Sequence, residues 1–216
     1  MLNKTNFIGC IIMLFFFNAN AQSSTDTTFI NKEYVTIEEA IKNHDNVFRL
    51  NLSNQSIKIS DSVWAKFKNL HYLSLKNDHL KNLPAGIGNL KNLKVLDLSG
   101  NDFKVLPTSF GSLTNLQELF INDDKNFDLN KNISILSRLP VLKSLHLEND
   151  GLKKLPKSIF QIAHLESLYL NDNKFKKVPP QIKGLKNLRY LDFHHNTYKP
   201  NLNQINNSIF GIRVSF

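Results

Sequence analysis

A pattern of apolar residues recurs at a fixed interval through most of the chain. In one unit Leu96 and Leu98 alternate with Val95 and Asp97, as in a short strand with one buried face, and Pro107 interrupts any regular ladder further on. The units are 23 residues apart except for one interval of 26, and they begin at Val47, Leu70, Leu93, Leu116, Leu142, Leu165 and Leu188. One unit has two apolar faces and nothing of its own to cover them, so the units must stack on one another.

Two further apolar columns stay aligned through all seven units. The fourth positions are Leu50, Leu73, Leu96, Leu119, Leu145, Leu168 and Leu191, and the sixth positions are Leu52, Leu75, Leu98, Ile121, Leu147, Leu170 and Phe193. This spacing resembles the LxxLxLxxN signature of the leucine-rich repeat family. The continuation LPxxIxxLxx, which begins at Leu83, resembles the 23-residue class of Ras-suppressor and Scribble-type scaffolds and of many bacterial proteins.

The resemblance covers residues 47–216 and implies an α/β solenoid. Such a solenoid is a curved right-handed superhelix, with a parallel β-sheet on its concave side and irregular or 3-10 segments on its convex side. Strands about 4.8 Å apart would make the sheet roughly 30 to 35 Å long. We therefore predict one leucine-rich repeat domain of seven repeats and a terminal strand.

Composition and motifs argue against an enzyme. The 216 residues carry a formal net charge of +9, which permits an acidic partner without naming one. The sequence contains no phosphate-binding GxxxxGK[ST], no HExxH, no CxxC and no GxSxG. We predict a non-enzymatic protein with no cofactor.

Residues 1–21 have the pattern of a secretory signal peptide. Lys4 precedes the apolar run Phe7–Phe17, and Ala19-Asn20-Ala21 fits the small-residue cleavage rule. A membrane anchor that stays in place is the alternative, although the run is short for a bilayer. Cys10 is the only cysteine and lies inside the run, so lipidation is not expected and the mature chain would have no disulfide. We expect a secreted or periplasmic protein without stable membrane insertion.

Residues 22–46 are predicted to hold a polar segment and then a helix that caps the first repeat. Thr36 to Glu39 reads as a capping box, and Ile37, Ala40 and Ile41 lie on one helical face over residues 36–43. A solenoid needs such a cover at its open end. A helix that binds a partner is the alternative.

Three segments depart from the repeat. The first repeat has Ser60-Asp61 where others have Leu-Pro; Asp61 is predicted to cap a short helix, and Trp64 to pack in the core. The fourth repeat, with its three extra residues, is predicted to hold a helix over 132–137 as a contact site or as neutral drift. Near the end, Ile209, Ile212 and Val214 repeat the one-four-six spacing and predict a last strand at the sheet edge, which closes the protein or seats a partner strand.

The ninth position of each unit turns the chain inside the solenoid. An asparagine amide suits this place because it both donates to and accepts from backbone groups, whereas a carboxylate only accepts. The seven residues, called the turn column below, are Gln55, Asp78, Asn101, Asp124, Asp150, Asn173 and Asn196. We predict looser or wetter turns at the aspartates.

The family's usual binding surface is the concave face of the sheet, and one part of it is aromatic. The fifth positions of three consecutive units are Phe120, His146 and Tyr169, here called the aromatic row, with Tyr190 one column over. These side chains are predicted to be exposed and to bind a protein partner; sheet stabilisation by cross-strand aromatic pairs is the alternative. Acidic residues surround the row, and those assigned to the partner site are Asp97, Glu118, Glu148 and Asp192.

The positive charge is ordered along one flank. The twelfth positions form a lysine ladder of Lys58, Lys81, Lys104, Lys153 and Lys176. It could contact an anionic glycan or envelope polymer, or it could simply keep a repeat protein soluble. Nucleic acid is not expected, because no aromatic residues interleave with the lysines and the signal peptide directs the chain elsewhere.

A metal site is not predicted. Asp192, His194 and His195 lie near one sheet edge, but neighbouring residues on a strand diverge, and a site needs three or four convergent ligands. The sequence therefore predicts an exported, monomeric leucine-rich repeat module that binds a protein through its concave face.

Overall fold

The computed structural model describes residues 32–56, 58–199, 208–209 and 211–216, and ten short strands dominate it. The strands are Glu33–Tyr34 (β1), Arg49–Asn51 (β2), Tyr72–Ser74 (β3), Val95–Asp97 (β4), Glu118–Phe120 (β5), Ser144–His146 (β6), Ser167–Tyr169 (β7), Tyr190–Asp192 (β8), Ser208–Ile209 (β9) and Ile212–Ser215 (β10). They form one sheet in the order β1 to β8, then β10, then β9. All pairings are parallel except that of β9 with β10.

The repeat pattern sets the register of the sheet. The fourth-position leucines lie opposite one another on successive strands, from Leu50 to Leu191, and all are fully buried. Burial of each such side chain contributes roughly 1.5 to 3 kcal/mol before the loss of chain entropy. The predicted α/β solenoid is confirmed in its parallel sheet, its register and its apolar columns.

The convex side consists of short 3-10 segments that follow prolines. These segments are Ala85–Asn89, Thr108–Ser112, Lys157–Gln161 and Pro180–Gly184. Proline fixes the backbone for such a turn and donates no hydrogen bond to a ladder. At Gly86 neighbouring repeats approach so closely that a Cβ atom would lie 2.4 Å from the backbone oxygen of Asp61, so only glycine fits there.

The N-terminal cap contains a helix, as predicted, and a strand that was not predicted. The helix Ile37–Lys42 (α1) begins at Thr36, whose hydroxyl accepts from the Glu39 N–H; the Glu39 carboxylate pairs with Lys32 instead of reaching back to Thr36. A short 3-10 turn, His44–Asn46, leads into the first repeat. Ahead of α1, β1 pairs with β2 and extends the parallel sheet by one strand. Cap and sheet together cover the first repeat.

The first repeat corrects the assignment of Asp61. A helix does form, Asp61–Trp64 (α2), but Ser60 precedes it as the cap residue and Asp61 is its first residue. The Asp61 carboxylate accepts from the Gly86 N–H at 2.8 Å, so it links two repeats instead of capping its own helix. Trp64 is buried in the core, as predicted.

The insertion in the fourth repeat is helical. The helix Leu129–Leu136 (α3) begins three residues earlier than predicted, because the Asp128 side chain caps it by accepting from the Lys131 N–H. Asn132 is buried and replaces the missing Leu-Pro turn: its Oδ1 accepts from the Leu106 N–H, and its Nδ2 donates to the Lys104 carbonyl. The extra residues are therefore tied into the preceding repeat.

The C-terminal strand exists, but its predicted register was wrong by two residues. Val214, and not Ile212, lies opposite Leu191, and Ile209 belongs to the separate strand β9. A slip of two keeps the same side chains inward, so Ile212 and Val214 are still buried. The outermost strand is β9, which covers the edge of β10 that was expected to be free.

The asparagines of the turn column bond as predicted. Asn101 Oδ1 accepts from the Asp78 and Leu80 N–H groups at 3.2 and 2.9 Å, and Nδ2 donates to the Leu75 and Leu98 carbonyls at 2.8 and 2.7 Å. Asn173 and Asn196 repeat this pattern in the last two repeats. Each amide therefore joins two neighbouring repeats.

The aspartates of the turn column are buried and only partly bonded. Asp150 Oδ1 accepts from the Asp124 N–H at 2.9 Å, while its Oδ2 and both oxygens of Asp124 are buried without a hydrogen-bond partner among the described residues. Burial raises the pKa of Asp150 to about 9, because the one hydrogen bond from the Asp124 N–H offsets only part of its cost, and burial raises the pKa of Asp124 to about 7. Burial also raises the pKa of Asp78. The looser turns expected here remain a prediction.

The eighth position of each unit has a left-handed backbone. The seven residues, called the left-handed column, have φ between 53 and 69°: Asn54, Asn77, Gly100, Asp123, Asn149, Asp172 and His195. Glycine, asparagine and aspartate tolerate this conformation best. The column runs beside the concave face, where each strand has just ended.

Candidate functional site on the concave face

The aromatic row forms as predicted on three neighbouring strands. Phe120, His146 and Tyr169 lie opposite one another on β5, β6 and β7. The ring centroids of Phe120 and His146 are 3.9 Å apart, and those of His146 and Tyr169 are 4.0 Å apart with the rings almost parallel. The three side chains therefore make a continuous stack across the sheet.

Tyr190 extends the aromatic surface by one strand. Its ring lies 5.5 Å from that of Tyr169 at an interplanar angle of 59°, and its hydroxyl donates to Asp192 Oδ2 at 3.4 Å. Phe120, Tyr169 and Tyr190 are each partly exposed. The surface thus spans four strands, β5 to β8.

His146 corrects the expectation that the whole row is exposed, since the residue is buried with 7% relative exposure. Its neighbours' rings cover both of its faces, and two carboxylates cover its edges. Its Nε2 lies 3.0 Å from Glu118 Oε1, and its Nδ1 lies 3.2 Å from Glu148 Oε1. His146 is therefore the centre of the stack, and its role includes the sheet stabilisation considered as the alternative.

The surroundings of His146 favour its charged form. A neutral imidazole has one N–H, so it can donate to one carboxylate, whereas an imidazolium donates to both. Burial lowers the pKa of His146, but the hydrogen bonds that its ring donates to Glu118 and Glu148, together with their charges, outweigh burial and the net shift is upward. The ring faces of Phe120 and Tyr169 also attract a cation placed between them.

Removal of both carboxylates should lower the pKa of His146 to below its ordinary value of 6.5. In the double variant Glu118→Gln/Glu148→Gln, burial remains while the two stabilising charges are gone. A titration of the His146 ring followed by NMR measures this directly. Because the folded pKa is raised, the stability gained from the charged ring is present below about pH 6.5 and is lost as pH rises through the folded pKa.

Glu166→Gln provides the control for that titration. Glu166 pairs with Lys143 at 3.1 Å, away from the stack, and should leave the pKa of His146 unchanged. An unshifted His146 in the double variant would contradict the assignment of the two carboxylates.

Acidic side chains surround the aromatic surface, as predicted. Asp97 on β4, Glu118 on β5, Glu148 in the turn after β6 and Asp192 on β8 are all partly exposed. Arg49 lies on the same face, but it pairs with Glu33 at 2.9 Å and stacks on Tyr72 at 4.1 Å. The excess charge beside the row is therefore negative.

The lysine ladder is solvent-exposed at all five positions: Lys58, Lys81, Lys104, Lys153 and Lys176. It lies along a flank of the solenoid and not on the concave face, because these residues follow the turn column on the way to the convex segments.

The histidine pair behaves differently from the prediction. His194 and His195 lie beyond the end of β8, and both approach Asp172, so that one donor atom from each of the three lies within 4.8 Å of the others. The expected divergence applies to residues inside a strand and fails here because His195 has a left-handed backbone.

Family models match most of the chain. One described as a leucine-rich repeat region matches residues 46–139, and one described as a leucine rich repeat matches residues 140–197. The chain belongs to the leucine-rich repeat family. The 23-residue subclass stays a prediction, and no curated protein matches the sequence significantly.

Solved structures resemble this leucine-rich repeat protein in fold. A chain of the Toll–Spatzle complex of Drosophila matches with a TM-score of 0.64 and 17% identity, over 76% of this chain and 22% of its own length. An internalin (inlF) from Listeria monocytogenes matches with a TM-score of 0.59 and 20% identity, over 83% of this chain and 50% of its own. At these identities the likeness shows the fold alone. Leucine-rich repeat proteins are generally protein-binding modules.

The structure adds one acidic residue, Glu33, to the region of the site that sequence reasoning did not place there. Glu33 reaches the concave face through β1, whose two residues are too few for a period-two pattern to reveal. Asp172 lies beside the histidine pair because it belongs to the left-handed column, as His195 does in the next repeat. The repeat alignment shows this equivalence. In the described part of this leucine-rich repeat protein, no helix has the length and apolar content needed to cross a membrane.

Proposed function

We propose that this protein is an exported, non-enzymatic module that binds a protein partner through its concave face. The observation that carries the proposal is the surface formed by Phe120, Tyr169 and Tyr190, three partly exposed aromatic side chains on a hydrogen-bonded sheet. Phe120 and Tyr169 stack on opposite faces of the buried His146 ring, and Tyr190 packs against Tyr169. Rigid aromatic side chains lose little conformational freedom on binding, and they dominate the energetics of many protein interfaces.

The charge of the face suggests the chemistry of the partner. Glu118 and Glu148 flank the stack, and Asp97 and Asp192 lie on the strands to either side. A partner segment with basic side chains and an apolar centre would complement this arrangement. The Toll–Spatzle complex is one instance of the same fold in a complex.

The proposal that the protein is exported depends on residues 1–21, which lie outside the residues that the structure describes. The positive start, the short apolar run and the Ala19-Asn20-Ala21 site support a secretory signal peptide. A secreted or periplasmic monomer is the form we propose.

A second candidate function uses the lysine ladder. Five exposed lysines at one repeat position give a periodic positive flank that matches an extended anionic glycan or envelope polymer. Such binding would weaken steeply between low and physiological ionic strength, whereas an aromatic-centred protein contact would persist.

The test compares partner recovery by three forms of the protein. Wild type, Phe120→Ala/Tyr169→Ala and Phe160→Ala are used as bait against envelope and medium fractions at physiological salt. Phe160 is a suitable control because it is an aromatic residue, 53% exposed, on the convex segment Lys157–Gln161. We expect the double variant to bind the recovered protein at least about 30-fold more weakly, since two interface aromatics at 1 kcal/mol or more each are lost.

Equal affinity of the wild type and the double variant for the same partner would overturn the concave-face proposal. Recovery that disappears with added salt in all three forms would favour the lysine ladder instead.

A further inference from the structure

Three metal-ligating side chains converge at the turns that follow β7 and β8. Asp172, His194 and His195 each place one donor atom within 4.8 Å of the other two. We propose that these residues bind one divalent transition-metal ion of the Zn²⁺ class, with water or a partner group completing its coordination.

The backbone brings the three residues together. Asp172 and His195 occupy the same place in successive repeats, with φ of 58 and 53°, so their side chains leave the column side by side. His195 Nδ1 lies 3.0 Å from Asp172 Oδ1. Two ligands bound to one ion at about 2.0 to 2.2 Å are themselves about 3 to 3.5 Å apart, so this pair already has the spacing of neighbouring ligands.

His194 is oriented for the same task. Its Nδ1 bonds to Asp192 Oδ1, which leaves Nε2 as the available donor. A carboxylate behind the histidine in this manner fixes the orientation of the ring, as is common for histidines that bind metals. His194 is partly exposed, and its donor atom lies within 4.8 Å of those of Asp172 and His195.

The carboxylate is also held from behind. Asn171 Nδ2 donates to Asp172 Oδ2 at 2.8 Å, so Oδ1 faces the histidines. Tyr190 in turn donates to Asp192 Oδ2, which fixes the residue that orients His194. Asp172 and His194 are thus both held in place by neighbouring side chains of the same two repeats.

The donor set selects the class of metal. Two imidazole nitrogens and one carboxylate oxygen suit Zn²⁺, Cu²⁺ or Ni²⁺, whereas Ca²⁺ and Mg²⁺ prefer sites built from oxygen. The site is exposed and has three protein ligands, so its affinity should be moderate and positions for exogenous ligands should remain.

The chain offers a matched control in another turn. His79 Nδ1 lies 3.7 Å from Asp102 Oδ2, and His79 also has a left-handed backbone, with φ of 52°. This exposed His–Asp pair resembles the pair formed by His195 and Asp172 but is not part of the three-donor group at Asp172. The pair formed by His79 and Asp102 therefore shows how strongly a surface histidine beside one carboxylate binds Zn²⁺ without a third ligand.

The experiment is calorimetric titration of ZnCl₂ into the protein, purified without a histidine tag, at pH 7. We expect one ion per chain in wild type and in His79→Ala, and at least a tenfold loss of affinity in both His194→Ala and Asp172→Asn. NMR should show Zn²⁺-induced shifts at the rings of His194 and His195 and not at His79, and excess Mg²⁺ should not compete.

Three results would overturn the site: no stoichiometric binding, equal loss in His79→Ala, or unchanged binding in Asp172→Asn. The replaced ligands are exposed or partly exposed, so circular dichroism of each variant should match wild type. Phe120→Ala/Tyr169→Ala should retain Zn²⁺ binding, which separates this inference from the proposed function.

Discussion

Replacement of Asp150 by asparagine should make the protein more stable at pH 7 by about 2 to 4 kcal/mol. The aspartate is buried with one oxygen unsatisfied, and burial raises its pKa to about 9. An asparagine there would donate to carbonyls equivalent to those that Asn101 reaches, and it would carry no charge. Denaturant unfolding of both proteins measures the difference.

The raised pKa of Asp150 also determines how the stability of the protein changes with pH. A folded pKa of about 9 against an unfolded value near 3.8 means that the folded chain holds a proton the unfolded chain has released. Stability therefore falls as pH rises from about 4 to 9 in wild type, and this component is absent from Asp150→Asn. The difference between the two should be small near pH 4 and should grow to a plateau above pH 9.

Asp124→Asn is the matched variant, because burial raises the pKa of the native Asp124 only to about 7. Its advantage over wild type should grow from about pH 4 and level off near pH 7, which is two units lower. Amide exchange should also slow in the turns that receive an asparagine. A variant Asp150→Asn that is no more stable than wild type at pH 8 would show that the native carboxylate is ionised and satisfied.

Replacement of Asn101 by alanine should have the opposite effect and cost about 3 to 5 kcal/mol. The buried amide makes four hydrogen bonds of 3.2 Å or less with backbone groups of two repeats. Its removal leaves these buried groups without their partner, at about 1 to 3 kcal/mol for each group that water cannot reach. Equilibrium unfolding by denaturant is the measurement.

Asn130→Ala is the control for Asn101→Ala. Asn130 is exposed on α3, where alanine favours the helix, so the change should be within about 0.5 kcal/mol of wild type. Asn101→Asp adds a second test, since it should be less destabilising at acid pH, where the carboxyl is protonated, than at pH 8. A loss below 1 kcal/mol in Asn101→Ala would mean that the turn rearranges and the amide is dispensable.

The sheet was predictable because its determinants repeat. Leu96 is one of seven equivalent leucines, and a column of seven fixes strand position and register far better than any single strand could. The same repetition places Phe120, His146 and Tyr169 on adjacent strands from the sequence alone.

Features that occur once were predicted less well. β1 has no repeat partner in sequence, and the register of β10 depends on a connection that does not follow the 23-residue interval. The burial of His146 was missed because period two assigns a face but does not show that Phe120 and Tyr169 would cover the ring. The convergence of His194 and Asp172 depends on turn geometry, which hydrophobic periodicity does not describe.

The left-handed column has a consequence for how such a surface can change through evolution. A branched or bulky side chain is strained at φ near +60°, and at Gly100 even a Cβ atom would lie 1.9 Å from Asn77 Oδ1. The residue types expected at these positions are therefore few: glycine, asparagine, aspartate and histidine. The backbone geometry that follows each strand therefore keeps this rim polar or without a side chain, while the strand positions that carry the aromatic row are under no such restriction of φ.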